Sequence, residues 1–523
     1  MFSVMRGKNR IITMGMVIAL MGSVAGCGAS SAEKQVDIQE NLPFIQGSGE
    51  VADYEVPVQI PNILVDQNGF RPEDEKVAVF RGKELPDTFY VCDKSTGKPV
   101  YSGSPVKAVY DKEADEYTAL GYFTDVKSAG DYYIYGDILG ESYPFTVSED
   151  VFSKVYNDAC KKFYINRCGI ALSEEYAGEN AHSACHTAVS HLQDNPQVEI
   201  DVTGGWHMDE MADRDAVLGC AIAENFLLAY EMNAEAFTDD TGIPESRNGV
   251  PDILDEVKYE ADWLLKMQDS KTGGVYGAAM TDPSKGGELF TYPVYVTPIS
   301  MDATIGFASM MARFSYIYQQ YDSEYATICL KAADRAWTCF FNNQRSDDST
   351  ACFKAAAQLY RATGGKNYED VLNLYFTKNN FNDLFMEDED IFIGSVTYLS
   401  TNQNVDVDRC TALMKLLMNK AEKIASDASS SKYLVTRVGE ENYLKLLYDM
   451  RCLSVTDHII YNHEYTTIIE NHVHYLMGMN PEAMNYVSED SERTFLEDTA
   501  KTGILNDPQK DALFVFMMSV LCH

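Results

Sequence analysis

The 523-residue chain has few tryptophans, with 3, and few basic residues, with 42 Lys and Arg against 79 Asp and Glu. Its net charge of −37 excludes nucleic acid and anionic membrane surfaces as partners, because phosphate binding needs basic patches. The balance suits neutral substrates such as glycans; the plainer reading is a solubilising surface. So few tryptophans weaken strong stacking on ring faces, although 33 Tyr and 24 Phe can supply other aromatic platforms. No Gly-x-Ser-x-Gly or Gly-x-x-x-x-Gly-Lys segment occurs, which leaves nucleophile-elbow and phosphate-loop chemistry without support. No complete Asp-x-Asp-x-Asp-Gly loop occurs either, so calcium suits the acidity but finds no place in the chain. The 12 cysteines are too sparse for a disulfide scaffold of this length, and several fall in apolar helical runs as small core residues.

The N-terminus is the exception to the shortage of basic residues. Arg6, Lys8 and Arg10 precede an apolar run from Ile11 to Val24 that closes on Ala25, Gly26 and Cys27. A positive start, a short apolar middle and small residues at the end are the layout of a secretory signal, too short to read comfortably as a spanning helix. Ending at Gly-Cys, it resembles a bacterial lipoprotein signal, in which Cys27 is lipidated and becomes the new N-terminus. The expectation is an extracytoplasmic protein tied to the cell membrane by lipid. Residues 28–59, rich in Ser, Glu, Gln and Asp, read as a flexible tether.

From residue 60 to 148 short β-rich runs alternate with turn signals such as Ser95–Lys98 and Ser128–Asp131, the spacing of a small β-sandwich. After Asp150 helical periodicity takes over. In residues 251–265 the apolar positions 253, 254, 257, 261, 264 and 265 share one helical face, after a turn at Asn248-Gly249 and with Pro251 at the helix start. Similar patterns near 153–166, 216–231, 303–320, 325–341, 353–362, 409–425, 440–452, 464–477 and 509–521 predict an all-α domain over 150–523, a repeat or toroid with no fixed period.

Several stretches, in order, resemble glycoside hydrolase family 9 with its N-terminal immunoglobulin-like domain: 63–72 (ILVDQNGFRP), 166–169 (NRCG), 184–187 (ACHT), 201–207 (DVTGGWH), 248–268, 273–276 (GGVY), 295–300 (YVTPIS), 355–364 (AAAQLYRATG) and 475–481 (YLMGMNP). Each piece alone is weak; the ordered set is specific. The resemblance implies an Ig-like β-sandwich followed by an (α/α)6 barrel with a cleft for β-glucan or a related polysaccharide.

Cys168, Cys185, His186 and His207 carry the donor types that zinc prefers. The separations of 17 and 21 residues between the three groups do not by themselves define a site. The resemblance implies one, since these positions match a structural zinc site of some family members. Four protein ligands leave no open coordination position, so such a metal braces loops and does not activate water. The alternative is a satisfied histidine pair beside two core cysteines. His182 and His191 are unneeded and read as solvated.

The family inverts the anomeric centre with a carboxylate base and a protonated carboxyl acid about 6.5–9.5 Å apart. Its base lies in an Asp-Ala-Gly-Asp segment directly after Gly-Gly-Trp-His. A gapless reading here places Met208 and Met211 where the two aspartates belong, and a thioether cannot take a proton from water. Asp209 or Asp213 could substitute through a small loop shift; otherwise both belong to a solvated acidic loop. The acid end differs as well. The family's His-His-Arg segment is missing after Asn485, no Glu stands before the last helix, and Asp507 or Glu497 could replace it only by rearrangement. The Trp and acidic pair expected before Ala355 read as Lys354 and Thr350-Ala351. Three functions follow: a glycan-engaging surface lipoprotein with lost or impaired hydrolysis, an active inverting glycosidase using relocated carboxylates, or a structural, protein-interacting lipoprotein.

Overall fold

Alternation along the strands decides how the first domain closes. In strand β8 (Gly130–Gly136), Tyr132 and Ile134 point inward and are buried while Asp131 and Tyr135 face solvent. The computed structural model describes residues 60–343, 349–438, 443–460, 464–487 and 507–522, and from Ile60 onward the chain forms one unit. Cys27, the tether and Glu497 lie outside the described residues. Ten strands build the N-terminal domain: β1 (Ile63–Leu64), β2 (Gly69–Phe70), β3 (Val77–Gly82), β4 (Phe89–Asp93), β5 (Pro99–Gly103), β6 (Val106–Asp111), β7 (Glu116–Tyr122), β8, β9 (Gly140–Glu141) and β10 (Phe145–Val147). They form one sheet in the order β1-β3-β7-β6 and a second in the order β2-β10-β8-β4-β5, with β9 beside β8. Phe70, Phe123 and Phe145 meet in the core with ring centroids 5.3–5.5 Å apart. Strand β2 runs parallel to β10, and its Gly69 (φ +126°) lies so close to Thr146 that a Cβ there would fall 1.8 Å from the carbonyl oxygen. This is the Ig-like sandwich expected from the sequence.

The second domain is helical: α1 (Ser153–Ile165), α2 (Glu174–Ala177), α3 (Ala216–Met232), α4 (Asp252–Met267), α5 (Met301–Tyr318), α6 (Ser323–Asn343), α7 (Thr350–Thr363), α8 (Lys366–Phe376), α9 (Phe381–Glu387), α10 (Glu389–Leu399), α11 (Val407–Ser430), α12 (Leu444–Ile460), α13 (Glu464–Leu476) and α14 (Pro508–Ser519). Helix α3 packs against α5 and α14, α5 against α7, α7 against α10, and α12 against α14. Helices α4, α6, α8 and α11 lie against α3, α5, α7 and α12. Helices α5 and α14 are buried around most of their circumference, whereas α6, α8 and α11 bury one face. Between the helices runs a ribbon of short strands: β11 (Ser190–Leu192), β12 (Glu199–Ile200), β13 (Arg214–Asp215), β15 (Ala278–Thr281) and β16 (Val294–Val296), with β14 (Val275–Tyr276) paired to β17 (Ile299–Ser300). No helix of the described residues is long and apolar enough to cross a membrane.

Two of the stretches that carry the resemblance meet at the seam between the domains. Asp66 Oδ2 lies 2.8 Å from His474 Nδ1, both side chains fully buried. Around that pair, the Gln67 amide donates to the Met477 carbonyl, Gln67 Nε2 to Ala483 O, and Arg81 Nη1 to Pro481 O. Arg71 pairs with Glu470 at 2.8 Å.

A candidate metal centre beside an acidic pocket

The loops between α1 and α3 bring Cys168, Cys185, His186 and His207 together. All four are buried, and their ligand atoms lie within 4.8 Å of one another. Cys168 Sγ is 3.7 Å from Cys185 Sγ and 3.5 Å from His186 Nδ1, and Cys185 Sγ is 3.6 Å from His207 Nε2. A tetrahedral ion with metal–sulfur bonds of about 2.3 Å and metal–nitrogen bonds of about 2.0 Å separates sulfurs by about 3.8 Å and sulfur from nitrogen by about 3.5 Å. The donor set therefore fits such an ion in both chemistry and size. His186 sits at φ +47°, a left-handed turn that aims its ring inward. Its Nε2 lies 3.1 Å from the Leu289 carbonyl, which leaves Nδ1 to face the sulfurs. The Cys168 hydrogen bond pulls the Cys185 thiol below its ordinary pKa and correspondingly raises that of Cys168, while burial lowers that of His207. Phe290 covers the cluster, stacking on His207 and on His182. His182 is thus half-buried against a ring, where the sequence left it solvated; His191 is exposed, as expected.

The residue after His207 starts a different environment. Met208 is buried and its amide donates to the Asp213 carbonyl, closing a tight loop in which Ala212 takes φ +58° and Met211 is exposed. This loop, the start of α3, strand β15 and the start of α14 form an open pocket of about 460 Å³ lined by Met208, Asp209, Asp213, Asp215, Val217, Leu218, Ala221, Met280 and Gln509. Asp209 and Asp213 both reach it, but each carboxylate is also part of the loop's framework. Asp209 Oδ1 accepts from the amides of Met211 and Asp213 at 2.9 and 3.0 Å. Asp213 Oδ1 accepts from Thr281 N at 2.7 Å and Thr281 Oγ1 at 2.9 Å. Burial raises the Asp213 pKa, and the Asp209 charge adds to the effect. Asp215 caps α3 through the Leu218 amide at 2.9 Å.

The opposite wall presents an amide. Gln509 lines the pocket, and its Nε2 donates to Tyr448 Oη at 2.9 Å. Asp507, a candidate acid, caps α14: Oδ1 accepts from the Gln509 and Lys510 amides, and Oδ2 is 3.3 Å from Lys510 Nζ. Below the pocket wall, Glu260 is fully buried. Its Oε2 accepts from the Trp206 amide at 2.9 Å, and burial pushes its pKa up to about 8. A Cβ at Gly219 would fall 2.1 Å from Glu260 Oε1, so the glycine lets α3 lie against that carboxyl in its present position.

Deeper still, the helical core holds a charge network. Lys354 lies 2.8 Å from both Glu224 and Asp390, and Ser309 Oγ donates to Glu224 at 2.6 Å. Burial disfavours the Lys354 ammonium, but the two carboxylates outweigh it and raise its pKa. Arg313 and Arg361 share Glu231, and Arg451 binds Glu389 and Asn225. The sequence flagged Lys354; its two partners, together with Met280 and Gln509, come from distant segments that no local pattern links.

A sequence profile described as glycosyl hydrolase family 9 matches residues 152–497, and one described as a cellulase N-terminal Ig-like domain matches residues 59–140. The chain belongs to glycosyl hydrolase family 9. It is 28% identical to a cellodextrinase of Butyrivibrio fibrisolvens over 83% of this chain and 85% of that protein. Its fold matches a metagenome-derived family 9 endoglucanase with a TM-score of 0.76 at 22% identity, over 87% of this chain and 98% of the other. A Zn-binding triple mutant of the family 9 endoglucanase J30 matches with a TM-score of 0.73 at 22% identity, over 87% and 99% of the two chains.

Proposed function

We propose that this chain is a lipid-anchored, extracytoplasmic family 9 protein that engages β-glucan or a related polysaccharide with lost or impaired hydrolysis. The carrying observation is the pocket itself. Its wall holds Met208 at a family aspartate position, Met211 points to solvent at the other, and Gln509 stands on the facing helix. Neither a thioether nor an amide can move the protons that inversion requires. The cellodextrinase likeness supports a β-glucan-type ligand. The Gly26-Cys27 signal supports the anchor.

The helical domain we assign as an (α/α)6 barrel, with α3, α5, α7, α10, α12 and α14 as its inner ring. The neighbour relations of these helices and the burial of α5 and α14 support it. Cys168, Cys185, His186 and His207 would hold structural zinc, a reading supported by the tetrahedral separations and the Zn-binding neighbour. With four protein ligands, zinc there supplies loop bracing only.

A second reading, an active glycosidase using Asp213, is favoured by that residue's burial and raised pKa at the pocket wall. A structural, protein-interacting role is the third. Affinity electrophoresis in glucan, xylan and mannan gels tests glycan engagement. Retardation in at least one gel is expected; unretarded migration in all three would favour the protein-interaction role.

A further inference from the structure

The two sheets of the Ig-like domain use their outer faces differently. On the first, Leu64, Val77, Val79 and Leu120 point away from the sandwich core and are buried against the helical domain. On the second, Phe89, Val91, Tyr132 and Ile134 point inward and fill the sandwich core. The alternate positions therefore point outward, and they carry Tyr90 on β4, Tyr133 and Tyr135 on β8 and Val100 on β5. This face is open to solvent: Tyr135 is 37% and Val100 53% exposed, and Tyr90 and Tyr133 are half-buried. An antiparallel sheet that faces water normally sets polar residues at such positions. Tyr90 stands opposite Tyr135 across the strand pair, and Tyr133 follows two residues from Tyr135 along β8. The platform is three strands wide, about 10 Å, and two residues long, about 7 Å. Unlike Tyr110 and Tyr117, whose rings lie 5.0 Å apart, none of these three tyrosines stacks on another ring among the described residues. Tyr135 Oη donates to Asp137 Oδ1 at 3.1 Å, which steadies its ring.

Charge and size select what such a face can hold. None of the six strands of this sheet contains a Lys or Arg, and Asp131 and Glu141 add negative charge to its outer side. Lys94 and Lys98 lie at one end, in the turn that joins β4 to β5. The strands therefore disfavour anionic lipid headgroups, nucleic acid and a second copy of this chain, whose net charge is −37. The patch is also far smaller than the roughly 800 Å² that a stable protein interface buries on each partner. A neutral polysaccharide meets both limits. The C–H faces of its rings stack on tyrosine, and its hydroxyls reach the tyrosine hydroxyls and the carboxylates beside them.

We infer that the outer face of the second sheet is a glycan-binding platform, with Tyr90, Tyr133 and Tyr135 stacking on a neutral polysaccharide chain. It holds the polymer on the Ig-like domain, apart from the pocket of the helical domain, and does not depend on the reading of that pocket.

Affinity electrophoresis of the mature full-length chain, in graded concentrations of soluble β-glucan, xylan and mannan, gives a dissociation constant for each polymer. In the gel that retards the wild type most, Tyr90→Ala/Tyr135→Ala should weaken binding about tenfold. Tyr90→Trp/Tyr135→Trp, which keeps both rings, should bind at least as tightly as the wild type. Tyr135→Ala alone, at the most exposed of the three rings, should weaken binding about threefold and keeps the test decisive if the double alanine variant fails to fold. Unchanged affinity in the alanine variants, with loss in the pocket variant Gln509→Ala, would overturn this inference and leave glycan engagement by the pocket standing. No retardation of the wild type in any gel would overturn both. Alanine variants that keep full glycan affinity but lose binding to phosphatidylserine vesicles, or lose a dimer seen by gel filtration, would assign the face to another partner and also overturn it.

Discussion

The candidate metal centre ends at His207 and the pocket wall begins at Met208, so one peptide bond separates two regions with different demands on their side chains. In the first, four donor atoms converge at separations that match a tetrahedral ion's bond lengths. In the second, carboxylates share a wall without converging, and one oxygen of each is spent on holding the loop. A ligand set has to be complete to hold a metal tightly, whereas a scaffold around a cleft can persist while the groups that do chemistry on it change. The same contrast separates the pocket from the core beneath it, where Lys354 is matched by two carboxylates.

The largest expected effect lies on the metal side. Removing the metal with a chelator, or Cys185→Ser, should lower the melting temperature by about 10 °C or more, because a structural metal's binding energy is folding energy. Calorimetry paired with metal analysis checks it; an unchanged melting point in protein shown to be metal-free would reduce the centre to a cosmetic cluster. Next comes the core network. Lys354→Ala leaves buried Glu224 and half-buried Asp390 without their shared cation and should cost about 3 kcal/mol in urea unfolding. A cost below about 1 kcal/mol, the range of surface pairs, would mean that water reaches the site.

The smallest effect concerns Glu260, between the two regions. Its folded pKa of about 8 exceeds the ordinary glutamate value of 4.5, so between the two the folded state holds a proton that the unfolded state has released. Wild-type stability from this group is therefore full below about pH 4.5 and falls as pH rises to about 8. Glu260→Gln keeps an acceptor for the Trp206 amide and has no proton to lose. It should gain on the wild type by about 1–3 kcal/mol at pH 8 and by nothing near pH 4. A gain that does not change with pH would assign the effect to packing.

Much of this architecture was legible because periodicity reports burial on one face. Helices α6 and α11 bury one face, and the apolar pattern found them within a few residues. Helix α10 was not singled out: Ile391 to Tyr398 are all buried, so no apolar stripe stands out. Strands β5 and β6 carry no such signal for the opposite reason, since Val100, Val106, Val109 and Tyr110 are exposed and no inward alternation marks them. The ribbon strands β11 to β17 are two to four residues long, too short for a pattern. At the site, Asp209 and Asp213 could be named because they follow a recognisable Trp206-His207 block. Met280 and Gln509 could not, because their meeting with that loop is set by β13 pairing with β15 and by α14 packing on α3.

The central claim, a family 9 cleft that holds glycan without cutting it efficiently, is tested most directly by reducing-end release. Purified mature protein is incubated with soluble β-glucans beside Asp209→Asn and Asp213→Asn variants. The account predicts release at or near the no-enzyme blank for all three proteins. Clear release by the wild type that disappears in either variant would contradict it and establish a relocated carboxylate as the base.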